Sequence, residues 1–131
     1  MASQHGQHWL RREDVGSVTV VRFRVPHLRS AELNRSVFQL LDGLVDEAGR
    51  RQLLLDLGGV GSLDSFAISK LVLLNRKAQA AGGRLALCCL TPGADEALEA
   101  MHLKEVVATY AGEAEALASF APPAESESSG E

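Results

Sequence analysis

The sequence predicts an α/β protein: a mixed, mostly parallel β-sheet that opens with an antiparallel hairpin and carries about four helices, in the order ββαβαβαβα. Three observations carry this expectation. Two nearly continuous apolar runs, QLLLDL at 52–57 and RLALCCL at 84–90, have the composition of strands covered on both faces, as parallel strands are. Apolar residues recur at helical spacing over 31–48 and 65–80. Near the N-terminus, residues 9–13 and 17–24 read as two strands joined around Asp14-Val15-Gly16, the pattern of a hairpin.

Each element has a local reason. In the second strand Val18, Val20 and Arg22 face one way and Thr19, Val21 and Phe23 the other, so the strand is apolar on both sides through most of its length. Pro26 supplies no ladder N–H and ends it. In the first helix Leu33, Val37, Leu40, Leu41, Leu44 and Val45 make the apolar stripe, Ser30 is placed to cap it and Gly49 to stop it. The loop GGVGSLD leads from the first buried strand into the second helix, where Ile68, Leu71, Val72 and Asn75 share a face before Gly82-Gly83 ends it. Thr91-Pro92-Gly93 starts a short helix to about Met101, because proline suits a first helical turn and Asp95 and Glu96 suit its positive end. A short strand at 106–110 and a helix at 113–120 complete the order, with right-handed crossovers expected between the parallel strands.

Length and charge bound the function. One domain is expected over residues 9–120, with a flexible N-terminus at 1–8 and a disordered acidic tail at 121–131 that has no apolar residue larger than alanine. The 13 basic and 17 acidic residues give a net charge of −4, of which Glu125, Glu127 and Glu131 in the tail supply −3. No concentrated positive surface is implied, so no direct nucleic-acid partner is expected. No apolar run approaches the roughly 20 residues that cross a bilayer, and the N-terminus lacks the apolar core of a secretory signal. The expectation is a cytoplasmic protein without membrane insertion.

Signatures of catalytic or metal-binding chemistry are few in the sequence. Glu13-Asp14, Asp46-Glu47 and Asp95-Glu96 are paired acids at strand ends or on helices, where solvated charge explains them. The Gly59-x-Gly61 pair follows a strand and precedes a helix but lacks the third glycine and the lysine of phosphate-binding loops, so nucleotide binding through GGVGS stands as a third reading only. His5-x-x-His8 has no third ligand, and His27 and His102 are isolated. Cys88 and Cys89 are adjacent in a predicted strand and so point to opposite faces, which is expected to keep them from sharing a ligand. No metal and no cofactor are expected, and the chain is not expected to be an enzyme.

What remains is Ser62-Leu63-Asp64-Ser65-Phe66-Ala67-Ile68-Ser69-Lys70, at the carboxyl end of a buried strand, where open α/β sheets present their working loops. Asp64 or Ser65 serves as the cap of the following helix. A serine there is equally well placed to accept a phosphoryl group, whose charge the helix N-terminus favours. Phe66 in the first turn is either a core residue or the centre of a docking patch beside the serine.

The run QLLLDLGGVGSLDSFAISKLVLLNRKAQAAGGRLALCCL resembles the central part of STAS domains of the anti-sigma factor antagonist kind, in which an Asp followed by a phosphorylatable Ser or Thr opens the second helix. The resemblance covers about residues 9–120. By position, Asp64 matches the family aspartate and Ser65 the phosphoacceptor, while Phe66 stands where a second small hydroxyl residue is common and Ala67 where glycine is common. It implies partner switching. The unmodified antagonist binds an anti-sigma factor that is itself a serine kinase, phosphorylation breaks the complex, and a PP2C-type phosphatase restores it. Asp64, Phe66, Ser69 and Lys70 are then the surface around the switch. The alternative within the same family is a fixed STAS subunit of a lipid-transport ATPase or sensory complex, in which Ser65 is only a cap.

Overall fold

The computed structural model describes residues 10–47 and 52–120. Its first strands, β1 (Leu10–Val15) and β2 (Val18–Phe23), pair antiparallel through a turn in which Gly16 takes φ 61°, a conformation costly for residues with a Cβ. Trp9, the His5/His8 pair, the Ala48-Gly49 helix end and the acidic tail lie outside the described residues. After β2 come β3 (His27–Leu28), α1 (Ala31–Glu47), β4 (Gln52–Asp56), β5 (Ser62–Leu63), α2 (Ser65–Ala80), β6 (Arg84–Cys88), α3 (Pro92–Ala100), a 3-10 turn (Leu103–Glu105), β7 (Ala108–Tyr110) and α4 (Glu113–Ser119). The main sheet runs β1-β2-β4-β6-β7, parallel from β2 onward. The expected mixed sheet with its N-terminal hairpin is the architecture observed, with four α-helices among the described residues.

Both faces of the sheet are covered, which is why β4 and β6 are apolar throughout. On one face Val21, Phe23, Leu53, Leu55, Leu85 and Leu87 pack under α1, α2 and α3; on the other Val18, Val20, Leu54 and Ala86 pack under Ala116 of α4 and Phe120 just after it. The alternation expected in β2 is therefore realised. Each leucine fully buried in this way contributes roughly 1.5–3 kcal/mol, and Leu53, Leu54 and Leu55 are all completely inaccessible.

Three elements depart from expectation. The core stripe of α1 is Asn34, Val37, Phe38, Leu41 and Val45, whereas Leu40 is exposed and Leu33 and Leu44 are only partly covered. The strip faces the sheet through positions spaced three and four apart, and Leu40 falls off it by one step of about 100°. The strand expected at 106–110 begins at Ala108, because Leu103–Glu105 closes a 3-10 turn that leaves Val106 exposed. Finally, β3 and β5 form a separate parallel pair in which His27 aligns with Ser62 and Leu28 with Leu63. Two residues per strand are too few for a periodicity to register.

Candidate functional site

The β3/β5 pair positions the start of α2. Asp64 N–H donates to Leu28 O at 3.0 Å, which fixes the residue directly after β5 against the segment before α1. Asp64 then caps α2: its Oδ1 accepts the N–H of Ala67 at 2.9 Å, and its carbonyl accepts from Ile68 at 3.1 Å. Of the two residues the sequence offers as cap, the aspartate takes the role. The same Oδ1 accepts from Asn34 Nδ2 at 3.1 Å. Asn34 is completely buried on α1, and its second contact, to Leu28 O, is a long 3.5 Å. The buried amide therefore ties α1, β3 and the cap of α2 together through one oxygen of Asp64.

Ser65 follows as the first residue of α2 and is exposed. The first N–H groups of a helix lack partners within it; at the start of α2, Asp64 accepts the N–H groups of Ala67 and Ile68. Phe66 is half-buried, and Lys70, one turn on, carries its ammonium 5.4 Å from the Phe66 ring centroid. Ser69 is exposed on the same side of the helix, and Leu73, 54% exposed, extends that side by another turn. The five residues named from the sequence thus share the first turns of α2. Asn34 and Leu73 were missed. Asn34 had a signal, a polar residue at helical spacing from Val37, Phe38 and Leu41; Leu73 had none, since an apolar residue in an apolar helix does not reveal its direction.

The neighbouring loop uses its glycines for close approach. A Cβ on Gly59 would come within 3.0 Å of Phe23 O, and Gly61 N–H donates to Pro26 O at 2.6 Å. His27 Nδ1 lies 2.7 Å from Ser62 Oγ across the β3/β5 pair. The paired acids hold surface cations: Glu13 contacts Arg22, Asp46 contacts Lys77 and Asp95 contacts Lys104.

A second polar group sits at the carboxyl ends of the strands on the α4 side. Arg22, Asp56, Cys88 and Tyr110 are register partners across β2, β4, β6 and β7. Glu113, in the first turn of α4, takes a bidentate pair of 2.8 Å hydrogen bonds from Arg22. Those bonds, aided by one from Asp56, lower the Glu113 carboxyl to about 2, while burial and then Glu113 raise Asp56. Burial, before any neighbouring group, raises both cysteine thiols. The expectation that the two cysteines diverge is wrong: β6 ends at Cys88, Cys89 turns to φ 62°, and the two Sγ atoms lie 3.5 Å apart.

A family model of the STAS domain matches residues 13–116. Curated protein sequences yield no match. Among solved structures, an anti-sigma-factor antagonist (STAS) domain protein from Planctomyces limnophilus is similar at 28% identity with a TM-score of 0.76, over 86% of this chain and 98% of that one. An anti-sigma factor antagonist from Mycobacterium paratuberculosis is similar in fold at 19% identity and a TM-score of 0.75, over 85% and 92% of the two chains. The phosphorylated form of the Bacillus cell fate determinant SpoIIAA gives 16% identity and 0.65, over 86% and 99%. No helix among the described residues is long and apolar enough to cross a membrane.

Proposed function

This chain belongs to the STAS domain family, and on that premise we propose that it is an anti-sigma factor antagonist that works by partner switching, with Ser65 as the phosphoacceptor. The observation that carries the reading is the exposed Ser65 hydroxyl at the first position of α2, immediately after a cap held by two hydrogen bonds to one carboxylate oxygen. The similar anti-sigma factor antagonists of Planctomyces limnophilus and Mycobacterium paratuberculosis support the general role, and the phosphorylated Bacillus protein supports a phosphate-bearing member of the fold.

The unmodified protein binds a serine-kinase anti-sigma factor through Phe66, Ser69 and Lys70, with Asp64 holding the helix start in place. The kinase transfers the terminal phosphoryl group of ATP to Ser65 Oγ, and a PP2C-type phosphatase hydrolyses it. The protein is then substrate and binding module rather than catalyst. A phosphate adds about −2 next to the Asp64 carboxylate. The first-turn N–H groups of α2 favour that charge in the free protein. In a docked complex the same dianion has to be desolvated, at a cost of several kcal/mol unless the partner supplies a cation. Modification therefore leaves the fold intact and weakens the complex.

Incubation with a serine-kinase anti-sigma factor that binds the protein and with ATP, followed by mapping of the phosphate by mass spectrometry, tests this. Modification of Ser65 alone is expected. Modification elsewhere, or none by a kinase that binds the protein, removes the switch from Ser65.

A further inference from the structure

We propose that Asp56, Cys88 and Cys89 form a binding site for a single thiophilic divalent cation of the zinc type, on the sheet face opposite α2. One atom from each residue, a carboxylate oxygen and two Sγ, lies within 4.8 Å of the other two. Two bonds of about 2.3 Å from a tetrahedral zinc ion to sulfur span roughly 3.8 Å between the sulfurs, and the Sγ atoms here are 3.5 Å apart. The protein is thus close to the bound geometry before any ion arrives.

Three features of the backbone build this arrangement. Asp56 and Cys88 are direct partners in the β4/β6 register, so their side chains leave the same face side by side. Cys89 would leave by the other face if β6 continued. Instead it adopts φ 62°, one of two positive values among the described non-glycine residues, and its sulfur swings back to Cys88. Such a conformation is unfavourable for a residue with a Cβ and is kept where the surroundings enforce it; here the chain is held by the Cys89 N–H to Tyr110 O bond at 3.3 Å and the Leu57 N–H to Cys88 O bond at 3.1 Å. The third feature is Gly58. A Cβ there would stand 3.0 Å from Asp56 Oδ1 and 3.5 Å from the Cys89 Cβ, so glycine keeps the space over the two ligands clear, while its N–H fixes Asp56 Oδ1 at 2.8 Å.

The donor set selects the ion. Magnesium and calcium require six or more oxygens, whereas two sulfurs and one carboxylate suit a borderline-soft d10 ion in four-coordination, with water in the fourth position. Cys89 and Asp56 are each partly exposed, which gives the ion a route in from the carboxyl ends of the strands. On binding, the two S–H bonds break, both protons and the one Asp56 shares with Glu113 pass to solvent, and two metal–sulfur bonds and one metal–oxygen bond form without any change of oxidation state. The ion would link the ends of β4 and β6 beneath the first turn of α4, remote from the exposed face of α2, so the site is independent of the Ser65 switch.

The test is a Co²⁺ titration of the freshly reduced protein, with Zn²⁺ displacement, followed by absorbance. The expected result is a sulfur-to-cobalt charge-transfer band that saturates at one equivalent and is abolished by Zn²⁺. Cys89→Ser should lower the band intensity to that of one thiolate and weaken binding by at least the roughly 10- to 100-fold that losing even an outer-shell partner costs. Asp56→Asn, which preserves shape, should keep the band and weaken binding, and circular dichroism of both variants checks that they fold. Binding without a charge-transfer band would place the ion elsewhere and overturn the proposal. So would equal affinity in Cys89→Ser, or a mass two hydrogens low in the protein as purified, before any reductant is added, which would identify a Cys88–Cys89 disulfide as the resting form.

Discussion

Replacing Asp64 by alanine separates its part in the fold from any part in recognition, and the cost follows from the contacts. The Ala67 N–H loses its cap, worth about 1 kcal/mol. The completely buried Asn34 amide loses its 3.1 Å acceptor and keeps only the 3.5 Å contact to Leu28 O. Leaving a buried donor poorly satisfied costs about 1–3 kcal/mol, so with the cap the two effects together come to about 2–4 kcal/mol. Asp64→Asn retains a side-chain oxygen that accepts both bonds and should cost less than about 1 kcal/mol. Urea unfolding reads the difference: with a slope of about 1–3 kcal/mol per molar for a small domain, Asp64→Ala should move the midpoint down by roughly 1 M or more, and Asp64→Asn by much less. Equal losses in the two variants would show that the charge of Asp64, not the geometry of its oxygen, holds the junction, and would refute the reasoning.

The Glu113 carboxyl, lowered from 4.5 to about 2 by Arg22, contributes stability that is fully present above pH 4.5 and lost as pH falls through about 2. Asp56, raised by burial, contributes in the opposite sense, losing stability as pH rises past its ordinary range. Glu113→Gln should therefore cost about 1 kcal/mol at neutral pH and flatten the acid limb of the stability profile; wild type and variant running parallel between pH 4.5 and 2 would contradict it. Gly93→Ala places a Cβ against the Gly61 carbonyl; overpacking costs about 1–3 kcal/mol, so the variant should unfold more easily although alanine favours helix, and an unchanged midpoint would count against the packing of α3 on the switch loop. With both thiols raised and Cys88 fully buried, iodoacetamide at pH 8 in the presence of chelator should label Cys89 before Cys88, and both more slowly than free cysteine; mass spectrometry showing Cys88 labelled first would reverse the assigned burial.

The elements legible in the sequence are those with a repeating cause. β4 and β6 announce themselves because both faces are buried, and α2 because its cap, its apolar period and Gly82-Gly83 agree on both ends. The site was legible as a segment for the same reason, since an Asp-Ser pair at a strand-to-helix junction has a local meaning. What was not legible depends on contacts between distant residues. The β3/β5 pair joins residues 35 positions apart, and the Asn34–Asp64 bond joins residues 30 apart. The Cys88/Cys89 reading failed at a single dihedral angle: alternation holds only while the strand continues, and Cys89 is the first residue outside it.

In the proposed switch, phosphate on Ser65 controls a protein complex. Calorimetric titration of the cognate serine-kinase anti-sigma factor with the unmodified and the Ser65-phosphorylated protein measures this directly. A desolvation cost of about 3 kcal/mol corresponds to a loss of roughly 100-fold in affinity, with Ser65→Ala binding as the unmodified protein does. Equal affinity of the two forms would contradict the account.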